Sequence, residues 1–385
     1  MKYCRRCVFP DTKPDLFFDK EGICDACRSS EKKDQGIDWE ARKQELGALL
    51  EKYRSKDGSN YDCIIPVSGG KDSHYQTYVV TKLFHLRPLC VCFEPTLPTA
   101  LGRKNLRNLN RLGVDLLHIK RDPVVYKKLV IEGLRRVGDN EWPNHVGIFT
   151  TPVQIAVKFN IPLLIWGENP QIEYGGPARG RVAKILDRRW LEEFGGLLGN
   201  RVEDMRESLG LSRQEMLPYF YPSDQALKNV GVTGVFLGYF LKWNTRAQIE
   251  LMKKSGFQTH PTHVEGTYTD FENLDCDSMT VHDYLKFVKY GFGRGTDHAC
   301  LDIRLGLIAR KKGVRLVEEY DGKLPQKSMN RLLDYLGWSR EEFFKTIDPF
   351  VNKIVFAFNS NGRPKRASDG NLIMKKEIIE ARRRP

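Results

Sequence analysis

No stretch of this 385-residue chain approaches the roughly 18 uninterrupted apolar residues that a membrane-spanning helix requires. Its opening, MKYCRRCVFP, is positively charged but lacks the apolar core of a signal peptide. No membrane insertion and a cytoplasmic location are therefore expected. Internal repeats are absent, and low-complexity sequence is confined to a basic C-terminal stretch. After Cys27 there is no further CxxC pair, and nowhere is there a Walker A loop or a second Gly-rich nucleophile turn.

What is present is the composition of a soluble globular protein, 41% hydrophobic and 29% charged. The length accommodates one large catalytic domain with a smaller attachment. The net charge of +13 suits polyanions such as RNA, nucleotides and nucleotide-sugars. A solvated basic tail over 361–385 would account for part of it equally well. Nine cysteines in a reducing compartment do not predict disulfides, and Cys4, Cys7, Cys24 and Cys27 stand apart from the rest.

Residues 1–30 read as a compact Cys-rich module and 31–60 as a helical linker, with Asp38 placed to cap a helix to Tyr53. From Tyr61 short apolar runs alternate with periodic ones. Strands are predicted at 61–67, 88–93, 115–119, 161–167 and 235–240. Helices are predicted from 72 to 86, near 100–112 and 124–137, and over 151–159. This alternation implies an α/β fold, a parallel twisted sheet with helices on both faces. The domain bounds are 61–245, with an insertion at about 170–230, followed by a mostly helical region over 246–360.

The residues richest in chemical meaning are Pro66-Val67-Ser68-Gly69-Gly70-Lys71-Asp72-Ser73, between the first strand and the first helix of that domain. Adjacent glycines let backbone N–H groups approach an anion, and the helix N-terminus adds a positive dipole end. Ser68 and Ser73 offer hydroxyls, Lys71 a point charge, and Asp72 a carboxylate suited to Mg²⁺. In an open parallel sheet a ligand crosses the C-terminal strand ends. That places Cys92 and Phe93, and then Gly167, Glu168 and Asn169, as further nucleotide or substrate contacts. The spacing Cys4-x2-Cys7-x16-Cys24-x2-Cys27 is that of a Cys4 zinc ribbon, with four thiolates closing a structural site; an iron–sulfur cluster is the alternative.

The loop resembles the SGGxDS PP-loop of ATP pyrophosphatases, which cleave ATP between its α and β phosphates. A CxxC…CxxC module directly ahead of it looks like the N-acetyl sugar amidotransferases of the WbpG/PseA type. Further similar blocks are the opening MKYCRRCVFPDTKP with FDKEGICDACR, WGENP (166–170), GYFLKWN (238–244) and KYGFGRGTDHACLDIR (289–304). The resemblance implies an ATP-dependent amidotransferase of surface polysaccharide (lipopolysaccharide O-antigen) or flagellin glycan biosynthesis. In such an enzyme a nucleotide-linked diacetamido sugar is adenylylated on its N-acetyl oxygen, and ammonia then displaces AMP to leave an acetamidino sugar. It also implies ATP and Mg²⁺ as cofactors beside structural Zn²⁺. On this reading Asp72, Lys242 and Asp297 are the catalytic candidates, and Asn169, Arg294, His298 and Arg304 the substrate-binding ones; Asp297 as a helix N-cap is the competing view.

Such enzymes draw ammonia from a separate HisH-like glutaminase, with a HisF-like partner. Consistently, Cys63, Cys90, Cys92, Cys276 and Cys300 carry no Cys-His glutaminase signature. The principal alternative is a tRNA-modifying PP-loop enzyme, which the basic charge and the cysteine module would both suit. The absence of any CxxC after Cys27 counts against the thiolating kind.

Overall fold

In the computed structural model residues 1–168, 185–186 and 199–384 are described; Asn169 and most of the 170–198 segment lie outside them. The central sheet contains β1 (Cys63–Pro66), β2 (Pro88–Phe93), β3 (Asp115–Ile119), β4 (Leu163–Trp166), β5 (Ile185–Leu186) and β6 (Thr233–Phe236). Their spatial order is β3-β2-β1-β4-β6-β5. All neighbours run parallel except the short β5, which is antiparallel to β6.

The strands are near-continuous apolar runs because both sheet faces are covered. Alternate side chains feed two separate cores. Ile64, Val91, Leu164 and Phe236 enter one with Val153 and Ala156; Ile65, Cys90, Cys92, Ile165 and Val235 enter the other with Val79, Leu106 and Leu109. Helix α6 (Trp142–Phe159) covers the first face. The second face carries α2 (Trp39–Lys52), α3 (Lys71–Tyr78) and α4 (Ala100–Asn108). Asp38 caps α2 as expected, accepting from the N–H groups of Glu40 and Ala41 at 3.1 and 3.0 Å.

Two sequence expectations shift. The helix expected over 151–159 begins at Trp142 and continues through Pro152. That proline forfeits one backbone bond, a cost of about 3 kcal/mol. Burying Trp142, Val146, Val153 and Ala156 outweighs it at about 1.5–3 kcal/mol for each large side chain. The strand expected over 235–240 ends at Phe236, and Leu237–Phe240 is a helical turn. There Gly238 donates its N–H to Gly167 O at 3.0 Å, so the chain folds across the end of β4.

Past Thr245 the chain is mostly helical, with an irregular stretch between Lys253 and Ser278 and three isolated β-bridges between Phe356 and Met374. Helices Ser278–Tyr290, Gln326–Leu336 and Arg340–Ile347 pack on α5 (Pro123–Val137) and α6, through Tyr284, Phe287, Met329, Leu332 and Phe343 against Tyr126, Leu129 and Trp142. The basic C-terminal residues are folded onto the molecule: helix Lys376–Arg383 buries Ile378 and Arg382. No helix among the described residues is long and apolar enough to cross a membrane.

Phe343 is wholly buried where the C-terminal helices meet α5. Phe343→Ala is therefore expected to cost about 3–5 kcal/mol, measured by chemical denaturation; a loss under about 1 kcal/mol would mean the two layers do not depend on that seam.

Candidate active site

Strand order reverses between β1 and β4: β2 and β3 lie on one side of β1, and β4 and β6 on the other. Loops leaving these two strands diverge, and that divergence opens a crevice at the C-terminal sheet edge. The loop Ser68–Gly70 leaves β1 there. Gly69 has φ +90°, and an added Cβ would lie 2.5 Å from Gly102 O, so both conformation and space demand glycine. Ser68 donates its N–H to Ser73 Oγ at 2.9 Å, and Gly70 donates to Ser68 Oγ at 3.3 Å. Helix α3 starts at Lys71 with Asp72 and Ser73 in its first turn, so its free N–H groups face the loop as an anion site.

A cleft of about 800 Å³, its open mouth included, runs from this loop between β1 and β4. It is lined by Ser68, Asp72 and Ser73 at the phosphate end, and by Val91, Phe93, Phe149, Trp166, Gly167 and Glu168 beyond. Phe149 and Trp166 stack with centroids 5.0 Å apart. Three buried polar atoms along it have no hydrogen-bond partner: Asp72 Oδ1, Gln76 Oε1 and Trp166 Nε1. Unpartnered buried groups are costly, and here they supply a carboxylate oxygen, an amide oxygen and an N–H to an incoming ligand. The other Asp72 oxygen accepts from Lys71 Nζ at 2.8 Å. An anionic oxygen beside a phosphate-binding loop suits a Mg²⁺ ion carried with a nucleotide. Cys92 does not line the cleft, because strand alternation turns its side chain into the opposite core.

A second pocket adjoins the first through Glu168, which lines both. Lys71, Lys242, Arg246, His298 and Arg304 line it, with Ala26, Ser30 and Lys33 from the helix Asp25–Gly36 that leaves the Cys-rich module. Sequence reasoning missed the residue that organises it. Glu272, 11% exposed, stands 3.1 Å from Lys71 Nζ and 3.2 Å from His298 Nε2. Burial alone would raise its pKa, but the nearby charge of Lys71 and the His298 contact hold it well below the ordinary carboxylate range. Neighbouring Asp275 lies beside Ser68, and its backbone fills the space over Gly102, where a Cβ would come within 2.4 Å. The segment Asp270–Asp277 thus braces the phosphate loop. Its acidic composition (DFENLDCD) is the one signal visible in sequence.

The remaining candidates divide. His298 lines the pocket, its Nδ1 sharing a hydrogen bond with Thr267 Oγ1 at 2.6 Å. Asp297 and Arg294 line neither pocket. Asp297 is 4% exposed and paired with Lys286, and Arg294 NH2 binds Asp283 Oδ1 at 2.9 Å. Nor is Asp297 the N-cap of helix Arg294–Arg304: that position is Gly293. The capping carboxylate arrives from Asp321, which accepts from Gly293 N at 2.7 Å and Thr296 N at 3.1 Å. Arg304 reaches the pocket but also lies 5.6 Å over the ring of Phe9, with its charge drawn to Cys7, Cys300, Cys27 and Cys24. Asn169 falls outside the described residues.

Cys4, Cys7, Cys24 and Cys27 are buried, with their sulfurs within 4.8 Å of one another. Cys4 Sγ accepts from the N–H groups of Cys7 and Cys24 at 3.5 and 3.2 Å, the backbone pattern that steadies thiolates on a metal. Four converging sulfurs fit a Zn²⁺ ion as a closed structural site. Helix α1 (Asp25–Gly36) starts within the second CxxC. The module packs through Val8 and Phe9 on Phe292, Val314 and Val317. Arg310 Nε donates to Cys4 O and Cys7 O at 3.3 and 3.0 Å, and its NH2 to Arg382 O at 3.1 Å.

Residues 265–367 match the family model described as the LPS biosynthesis protein WbpG-like, C-terminal domain. The C-terminal region is WbpG-like. The resemblance read from the sequence is borne out there; Glu272, His298 and Asp321 fall within this WbpG-like region, and the β-bridged segment Phe356–Met374 begins in it. Among curated proteins the chain is similar to the uncharacterized protein MJ1599 of Methanocaldococcus jannaschii, 30% identical over 135 residues. That alignment covers 34% of this chain and 47% of the relative, so the chain spans about half of that protein's length. Solved structures with similarity include the NMN synthetase of Francisella tularensis, at 16% identity and TM-score 0.26, covering 50% of this chain and 92% of that one. The NAD+ synthetase of Burkholderia pseudomallei matches at 12% identity and TM-score 0.24, covering 60% and 89%.

Two outcomes follow from this geometry. Cys24→Ser should abolish stoichiometric zinc and open residues 1–30 to protease while leaving nucleotide binding in place, read by metal analysis and limited proteolysis; a fully folded, metal-free wild-type protein would refute the ribbon. Because Glu272 has a folded-state pKa below its unfolded value of about 4.3, its contribution to stability is complete above about pH 5 and is lost as pH falls toward the folded value. Thermal melts between about pH 6 and 3.5 should show a shallower acid decline in Glu272→Gln than in wild type, and parallel curves would exclude Glu272 as the acid-sensitive group.

Proposed function

We propose that the protein uses ATP to adenylylate the N-acetyl oxygen of a nucleotide-linked sugar, so that ammonia can replace AMP, in lipopolysaccharide or related surface-glycan biosynthesis. The observation that carries this reading is the loop Ser68–Ser73, held by Gly69 at a helix N-terminus in the crevice where strand order reverses. The WbpG-like match over 265–367 supports the pathway.

The chain's residues suit each stage. Loop N–H groups, Ser68, Ser73 and Lys71 would take the β and γ phosphates. A Mg²⁺ ion at Asp72 would supply charge neutralisation on the phosphates. Val91, Phe93 and the stacked Phe149–Trp166 pair provide an apolar slot for the base, with Gln76 Oε1 and Trp166 Nε1 as polar partners. The second pocket, with Lys33, Lys242, Arg246 and Arg304 around its wall, suits the diphosphate of a nucleotide-sugar. Glu168, lining both pockets, marks where the acetamido oxygen would approach the α-phosphorus.

In the first step that oxygen forms a bond to the α-phosphorus as the bond to pyrophosphate breaks. In the second, ammonia adds at the activated imidate carbon and AMP leaves, giving the acetamidine. Lys242, which lines the second pocket, would offset charge on the α-phosphate. Ammonia would come from a partner glutaminase, since the cysteines outside the ribbon are buried.

Phosphorus NMR of a mixture of protein, ATP, Mg²⁺, ammonium and nucleotide-diacetamido sugars should show AMP and pyrophosphate, with isotopically labelled ammonium nitrogen entering the sugar. Asp72→Asn should slow turnover by about 100-fold or more, the scale of losing one transition-state electrostatic contact. Release of ADP and orthophosphate would exclude the chemistry; transfer to tRNA with no sugar altered would exclude the substrate.

A further inference from the structure

Away from the cysteine ribbon and the phosphate loop, a second group of metal-ligating side chains converges. Asp139, in the turn between α5 and α6, His145, in the first turns of α6, and His282, on helix Ser278–Tyr290, bring ligand atoms within 4.8 Å of one another. Asp139 is 2% exposed. Its Oδ1 lies 2.9 Å from His282 Nδ1 and accepts from Glu141 N at 2.8 Å. The two imidazoles meet edge to face, with centroids 5.0 Å apart. Both ring nitrogens of His145, and Nε2 of His282, have no hydrogen-bond partner among the described residues. Lys289 approaches the other Asp139 oxygen, Oδ2, at 4.0 Å and donates to Val137 O at 3.3 Å. It balances the carboxylate from the Oδ2 side, while His282 meets Oδ1.

We propose that Asp139, His145 and His282 form a second metal site, for Zn²⁺ or a neighbouring first-row divalent ion. Two imidazoles and one carboxylate are the donor set such ions prefer, whereas Mg²⁺ favours oxygen alone. An ion about 2.0–2.2 Å from each ligand holds any two of them within about 4.4 Å, so small side-chain rotations complete the set. Three protein ligands leave coordination open, the arrangement of sites that bind water or a substrate group rather than of structural sites. The position favours such a use. His145 sits about one helical turn before Ile148 and Phe149, which line the nucleotide cleft, at the sheet edge from which the phosphate loop also emerges. A metal here is an element of the active-site edge distinct from the ribbon.

The test uses the full chain with its cysteine site filled by zinc. Titration with Co²⁺, followed by calorimetry and visible absorption, should show one further equivalent bound. Its bands should be weak d–d transitions of nitrogen and oxygen ligation, without the intense near-ultraviolet thiolate-to-cobalt absorption of the cysteine site. His145→Gln and His282→Gln should each weaken this binding by at least about tenfold, a loss that outer-shell changes alone already reach, with zinc content of the ribbon unchanged. In the wild type, NMR should show the rings of two of the eight histidines paramagnetically shifted, a readout that no variant's folding can confound. Absence of a second equivalent in the wild type, or shifts at other histidines, would overturn the assignment.

Discussion

A single ammonium group holds the two halves of the site together. Lys71, 13% exposed, is shared between Asp72 on its own helix and Glu272 from the C-terminal region. Removing a lysine charge from water costs several kcal/mol unless it is paired, and Glu272 adds a second, buried carboxylate to the one that Asp72 supplies. Glu272 in turn contacts His298, and the Asp275 backbone packs against Gly102 beside the loop. Consequently the WbpG-like region braces the phosphate-loop cleft, and the charge of Lys71 is positioned before any ligand arrives, which lowers the ordering cost of binding.

Electrostatics also explains how the N-terminal module is attached. Four thiolates on one divalent ion carry net negative charge, and buried net charge requires compensation. Arg304 and Arg310 stand beside the cluster, and Arg310 also binds the backbone of Arg382. One guanidinium therefore joins the cysteine knuckles to the C-terminal helix. Arg304 additionally lines the second pocket, so the same charge serves the ribbon and the pocket wall. Part of the high basic content is accordingly structural, and a residue assigned from motif position alone to substrate proves to have a second obligation.

Much of the sheet was legible because each strand announced itself locally. β2 and β3 coincide with their apolar runs, and the turn signals around Ser68–Ser73 place the loop without reference to anything distant. Boundaries failed where local signals conflict with burial, as at Pro152, or where an apolar run such as VFLGYF serves as strand and then helix. The cysteine ribbon was legible too, since two CxxC pairs constrain which atoms can meet. Glu272, Asp275 and Asp321 were not. A carboxylate about 200 residues from the loop it braces has no periodicity or spacing to mark it; only burial and a partner charge reveal its purpose.

Asp297 and Asp321 show the same division at a single helix. An acidic residue in the first turn is a reasonable cap from sequence, because capping is local chemistry. Yet the helix takes its cap from Asp321, and Asp297 is spent on Lys286, because tertiary packing brings both partners within bonding reach. By itself the sequence determined the α/β alternation, the phosphate loop with its glycines and the four-thiolate cluster, all of which depend on neighbours within a few residues. Only the tertiary structure decided which charges face the cleft, which brace it and which lie paired beside it, because a carboxylate's role depends on what is buried against it.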